Sequence, residues 1–305
     1  MSEITEKVRS GGDLSDAMKD YPNAFSRIYV NMIAAGEASG QLEEILLRLS
    51  DFIERTEKLK RDIRGAMIYP VVSLLLILSI TLGLLIFIVP KFKEIFDTVD
   101  IALPLPTKIV LGISEMLRSY WYILFGSVGG FFALLFIYKK TDSGAYNLDW
   151  LKMHVPVFGP LFRQVALSRF SRTFATLLRS GVPILGALEI VSGTVGNRVI
   201  EEVVVNTRQA VSEGEPLAKT LSQSSIFPHM LVRMVEIGER SGALESLLLK
   251  LADFYDDQVS AAVEALTSTI EPLMVGVMGI LVGGIVLAIF LPILKLQEAL
   301  TEQAG

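Results

Sequence analysis

The chain has 305 residues, 51% of them hydrophobic and 20% charged, with a net charge of −5 and a mean hydropathy of +0.50. The absence of cysteine excludes disulfides and thiolate metal sites, and the mildly acidic balance without a basic stripe argues against nucleic acid as the main partner. The hydropathy is high for a soluble domain and its apolar residues are clustered, so a membrane reading comes first.

The polar start, MSEITEKVRSGGD, lacks the apolar stretch of a cleavable signal peptide. Farther on, Leu42, Ile45, Leu46, Leu49, Phe52 and Ile53 recur at the spacing of an amphipathic helix. No proline or glycine interrupts Gln41 to Arg64, so this helix is expected to run toward the membrane, with Gly65 and Pro70 as kink candidates. A spanning helix needs about 20 mostly apolar residues to cross roughly 30 Å of hydrocarbon. Three segments qualify: 68–89, which carries no charge; 120–138, with aromatic residues at both ends; and 270–294, charged only at Glu271.

Basic residues near the spans set the expected orientation. Arg55, Lys58, Lys60, Arg61 and Arg64 precede the first span, and Lys139 and Lys140 follow the second. The sequence therefore predicts an all-α membrane protein with two homologous cytoplasmic helical bundles and three transmembrane helices. In chain order these are a truncated first cytoplasmic domain (1–67), span one (68–89), a periplasmic segment (90–119), span two (120–138), a second cytoplasmic domain (139–269), span three (270–294) and a short periplasmic tail (295–305). The amino terminus lies in the cytoplasm.

The two bundles are read from an internal repeat. FSRIYVNMIAAGEASGQLEEILLRLSDFI from Phe25 and FPHMLVRMVEIGERSGALESLLLKLADFY from Phe227 align without gaps, with 14 identities in 29 positions. Chance would give about two at ordinary residue frequencies. The offset of 202 carries into the membrane, where Pro70 matches Pro272 and Pro90 matches Pro292. Upstream, SGGDLSDAM matches EGEPLAKTL at an offset of 203. Two copies of a bundle followed by a span face the same side only if a return helix separates them, and span two is that helix. The first copy is the shorter, since Met1 corresponds to about Val204, well inside the second.

The repeated block supplies the candidate site: Gly36, Glu37, Ser39, Gly40, Leu42 and Glu43, matched by Gly238, Glu239, Ser241, Gly242, Leu244 and Glu245. It reads either as a partner contact or as a glycine-permitted corner in which Glu37 or Glu239 caps a neighbouring helix. Gly40 with Glu43, and Gly242 with Glu245, resemble capped helix starts. In the spans, Gly126 with Gly130 and Gly279 with Gly283 form GxxxG pairs that permit close packing of membrane helices. Glu271 is expected at the interface, near the positive end of span three.

No catalytic constellation emerges. GEPLAKT, residues 214–220, lacks two required positions of a phosphate loop, having Glu213 for the first glycine and Ala218 before Lys219. His154 and His229 are isolated, and the acid pairs Glu43–Glu44 and Asp256–Asp257 read as solvated helix faces. The expectation is a non-enzyme without metal or cofactor. A transporter is the alternative, because parallel repeats occur there too, but three spans with no charge at mid-membrane offer little polar lining.

The repeated GExSGxLE block, with VPKFKEIFDTVDIALPLPTKIVLGISEML after span one, VPVFGPLFRQVALSRFSRTFATLLRSGVPILGALEI after span two and EPLMVGVMGILVGGIVLAIFLPI at the end, resembles the bacterial type II secretion F family. This family includes the inner-membrane platforms of type IV pilus systems. The resemblance runs from Val8 to Leu296. It implies a non-enzymatic scaffold in the inner membrane that contacts lipid, self-associates, meets a cytoplasmic secretion ATPase and other inner-membrane components, and serves assembly of pilin-like subunits. AIFLPI and PVFGPLFRQVALSRFSRT lean toward the pilus branch.

Overall fold

The computed structural model describes residues 2–91, 104–156 and 158–303, and no strand occurs among them. The helices are α1 (Ser2–Arg9), α2 (Leu14–Lys19), α3 (Arg27–Ser39), α4 (Leu42–Gly83), α5 (Leu105–Lys139), α6 (Asp142–His154), α7 (Gly159–Arg179), α8 (Ile184–Ser192), α9 (Arg198–Ser212), α10 (Leu217–Ser222), α11 (His229–Ser241) and α12 (Leu244–Gln303). They divide into two compact units, Met1–Arg64 with Thr141–Glu264 and Gly65–Lys140 with Ala265–Gly305.

The repeat governs the first unit. α3 and α11 are each 13 residues long and start 202 residues apart, while α2 and α10 are each six residues long and start 203 apart. The one-residue gap is therefore placed: residues 20–26 join α2 to α3, and the shorter run 223–228 joins α10 to α11. α1 matches the last turns of α9.

Sequence reasoning expects two bundles, yet residues from both copies share one apolar core. Met32 and Ile33 of the first copy belong to the same buried cluster as Phe170, Phe174, Leu188, Leu231 and Leu248 of the second, each less than 2% exposed. The physical reason is size. Four helices in 64 residues bury a modest fraction of their surface by themselves, and here they share the apolar core of the second copy. α7 lies against the start of α12: Arg179 pairs with Glu245 at 3.5 Å, and the Arg172 guanidinium reaches Asp253 at 2.9 Å and also pairs with Asp256.

In the second unit α4 continues through Pro70 without a break, so neither Gly65 nor Pro70 ends it. The departure from α geometry comes later, as a π-helical stretch at Leu84–Ile88. Such a stretch disturbs the regular ladder of backbone bonds, and here the Ser114 hydroxyl donates to the Leu85 carbonyl. Leu85, Val89, Leu111 and Ile285 form a small apolar cluster beside it, and the Thr107 hydroxyl donates to the Ala288 carbonyl at 2.8 Å. Of the expected periplasmic segment, residues 92–103 lie outside the described residues, while 105–119 are helical and run into α5. α5 bends by 49° between Leu105–Ile123 and Phe125–Lys139, with Tyr120 off helical geometry. Two helices, within Leu42–Lys91 and Leu244–Leu291, are long and apolar enough to cross a membrane, or up to three if the bent pair counts as one span. The expected tail is helical to Gln303, and residues 304 and 305 lie outside the described residues.

Candidate functional site

The two glycines of each GExSG block have different duties. Gly36 and Gly238 sit inside α3 and α11, where the next helix crosses close by. A Cβ on Gly238 would stand 2.8 Å from the Leu244 Cα, and one on Gly36 would stand 3.1 Å from the Ile45 Cβ and 3.3 Å from the Leu42 Cα. Gly40 and Gly242 face open space but adopt left-handed backbone, with φ of 68° and 72°. They close α3 and α11 at the carboxyl end, which corrects the expectation that they open the following helix. Glu43 and Glu245 still fall in the first turn of α4 and α12, where a carboxylate complements the helix dipole.

Between the glycines, the acid reaches back to an earlier helix. Glu37 accepts hydrogen bonds from the Leu14 amide at 2.5 Å, the Ser15 amide at 3.1 Å and the Ser15 hydroxyl at 2.6 Å. Glu239 does the same for α10, accepting from the Leu217 amide at 2.8 Å and the Ala218 amide at 3.2 Å. Each carboxylate thus satisfies free amides at a helix start that has no side-chain cap of its own. Burial pushes the Glu37 carboxyl upward, but the bonds from Ser15 and Leu14 outweigh it and hold the group below its ordinary value. Ser39 and Ser241 donate back to the Ala35 and Ile237 carbonyls of their own helices, at 2.8 and 2.7 Å. The corner is therefore a clasp in which one short motif fixes three helices: the one it ends, the one that follows and the one it caps.

The same geometry disposes of the phosphate-loop resemblance. The amides at the start of α10 are taken by the Glu239 carboxylate, and Lys219 is paired with Glu215 at 2.6 Å. His154 stacks on Trp150 at 4.0 Å and bonds to its carbonyl, while His229 is exposed at the start of α11. Among the described residues no group of three or more His, Cys, Asp or Glu side chains could hold a metal ion. Gly126, Gly130, Gly279 and Gly283 have nothing within 4 Å of an added Cβ among the described residues.

Sequence reasoning missed Arg172. Its side chain is 8% exposed, and it lies between Asp253 and Asp256, the latter also accepting from the Ser168 hydroxyl. The available signal was a single charge in the otherwise uncharged run Phe170–Leu177.

The described residues, all helix with apolar helices of spanning length and a repeated clasp, are those of a helical membrane protein. The sequence matches the family described as type II secretion system (T2SS), protein F, over residues 1–90 and 170–292. It is 42% identical to the type IV pilus assembly protein PilC of Thermus thermophilus over 305 residues, covering 99% of this chain and 75% of that protein. It is 38% identical to the PilC protein of Myxococcus xanthus, covering 97% of this chain and 71% of that protein. Against the type II secretion system protein F of Pseudomonas aeruginosa the identity is 34%, over 97% of this chain and 73% of the relative. The chain belongs to the type II secretion system protein F family.

Proposed function

We propose that this chain is a non-enzymatic inner-membrane platform, coupling a cytoplasmic ATPase to the assembly of pilin-like subunits. The observation that carries this reading is near-full-length similarity to proteins named for pilus assembly and type II secretion. The pilus branch is favoured, because relatives named for pilus assembly are 36% to 42% identical while those named protein F are 32% to 34% identical. α4 and α12 each continue without interruption past Arg64 and Glu264, so each offers a continuous element along which displacement of residues 1–64 or 141–264 reaches an apolar span. The GExSG corners serve as rigid clasps within that device, and the outward GxxxG faces serve self-association.

Two measurements test this reading. Immobilised full-length protein in detergent should retain the machine's secretion ATPase and hydrolyse no ATP by itself. Hydrolysis by a clean preparation, or failure to retain the ATPase, would count against the coupling. For orientation, the proposed reading has residues 139–269 in the cytoplasm and 90–119 and 295–305 in the periplasm, with three spans between them, supported by the basic residues before span one and after span two. The chain has no native cysteine, so Ser143→Cys should resist an impermeant thiol reagent in cells with a permeabilised outer membrane, while Asp97→Cys reacts. The opposite pattern would reverse the topology.

A further inference from the structure

α6 keeps its charges in ion pairs on its flank and leaves its aromatic rings in the open, the reverse of an ordinary surface helix. Lys152 pairs with Asp149 at 2.7 Å, and Asp149 also accepts the Arg198 amide at 3.0 Å at the start of α9. Asp142, in the first turn, pairs with the Arg198 side chain at 3.4 Å. The open face holds Ser143, Tyr146, Asn147, Trp150, Leu151 and His154, with no acid, lysine or arginine among them. At 3.6 residues per turn these six fall within about 140° of arc. Trp150 is 47% exposed and Leu151 is 54% exposed, and the His154 ring lies flat against the indole. On α9, by contrast, the exposed positions include Glu202, Arg208 and Gln209, an ordinary solvated face.

The place of α6 in the chain indicates what that face meets. The apolar stretch Phe125–Lys139 closes α5, and only Lys140 and Thr141 separate it from Asp142. Thr141 has extended backbone and its hydroxyl accepts the Gly144 amide, so one helix ends and the next begins at once. Where α5 carries span two, Lys139 and Lys140 mark the headgroup level, and Tyr146 and Trp150 follow within eleven residues of Lys139. The headgroup layer is about 6 Å deep on each side of a bilayer, whereas a helix of 13 residues is about 20 Å long. The open face stays at that level only if α6 lies along the surface. Tyrosine and tryptophan rings, apolar in body and polar at the tip, concentrate at that level.

We propose that α6 is an interfacial helix whose Tyr146, Trp150 and Leu151 face rests in the headgroup region of the cytoplasmic leaflet. The proposal rests on the reading of 120–138 as a span and 139–269 as cytoplasmic. Lys139 and Lys140, exposed just ahead of α6, add attraction to anionic headgroups. A surface contact at α6 restrains tilting of residues 141–264 against the bilayer, so that displacement passes along α12. A second copy of this chain is the weaker occupant. One face of a 13-residue helix falls short of the roughly 800 Å² a side that a stable protein interface buries.

The chain's two tryptophans, Trp121 and Trp150, serve as depth probes. Trp121→Phe leaves only Trp150, on α6, and Trp150→Phe leaves only Trp121, exposed on α5. Each full-length variant is placed in vesicles of phosphatidylcholine and phosphatidylglycerol. The phosphatidylcholine is either plain or brominated, near the headgroup end or near the tail end of its acyl chains. Trp150 emission should fall by about half with bromine near the headgroup end, fall less with bromine near the tail end, and resist aqueous acrylamide. A third variant combines Trp121→Phe, Trp150→Phe and Glu202→Trp, which puts the only tryptophan on the open face of α9. It should show the opposite pattern, quenched by acrylamide and untouched by bromine. Trp121 reports on the span. If bromine quenches Trp121 and spares Trp150, the interfacial helix is overturned and the span stands. If bromine spares Trp121, the span reading fails and the interfacial helix fails with it. Trp150 shielded from both quenchers also overturns the proposal, and assigns the face to a protein partner.

Discussion

Gly238→Val should lower the stability of the unit built from residues 1–64 and 141–264 by about 3 kcal/mol, the upper end of ordinary overpacking. The added Cβ would meet the Leu244 Cα at 2.8 Å, and a backbone atom cannot rotate away as a side chain can. α11 and α12 would have to part at the point where Glu239 caps α10, so crossing and cap would be strained together. The same change at Gly36 should cost less, because its nearest neighbours, at 3.1 Å, are side-chain atoms of Ile45. Gly242→Ala is the contrast within the motif: it meets open space and pays only for left-handed backbone, about 1 kcal/mol. Thermal unfolding of the purified full chain, followed by near-ultraviolet circular dichroism, should order the variants as 238, then 36, then 242. A parental melting curve for Gly238→Val would remove the close crossing from the account.

Arg172→Met should be comparably damaging, at about 3 kcal/mol, for an electrostatic reason. The guanidinium is nearly inaccessible and bridges two carboxylates on α12, one of them, Asp256, three-quarters buried. Removing the cation leaves that carboxylate without its main counter-charge, which costs more than the pair itself contributes. Arg172→Lys should rescue only partly: one guanidinium nitrogen meets both acids, and the more strongly hydrated lysine ammonium gives up more on being buried between them. Combining Arg172→Met with Asp256→Asn should recover much of the loss, because the stranded charge is then gone. If the double variant is no more stable than Arg172→Met alone, the loss comes from packing rather than from charge.

Much of this architecture was legible before any coordinates. The 202-residue offset located α3 against α11 and α4 against α12, because helix boundaries are set by local glycine and capping chemistry that recurs in both copies. The acid of each GExSG block was recognisable as a cap, although not which helix it would cap, since the partner lies more than twenty residues upstream. Gly40 and Gly242 were read as helix starts because a glycine between two helices serves either end, and only the backbone angle decides. Where a helix departs from α geometry is hard to read for a related reason. Pro70 offers a strong local signal and yet α4 passes it, whereas the π stretch at Leu84–Ile88 is matched by a hydroxyl from Ser114, distant in sequence. The sharing of one core by both copies could not be read from periodicity, which shows that a face is apolar and not what covers it.

The most direct test of the platform role is fibre assembly in a strain lacking this gene, scored beside the cellular level of the pilin-like subunit. The account predicts that surface fibres, or secretion through the machine, disappear while subunit levels stay normal, and that the intact gene restores assembly. Normal assembly in the deletion strain would contradict it.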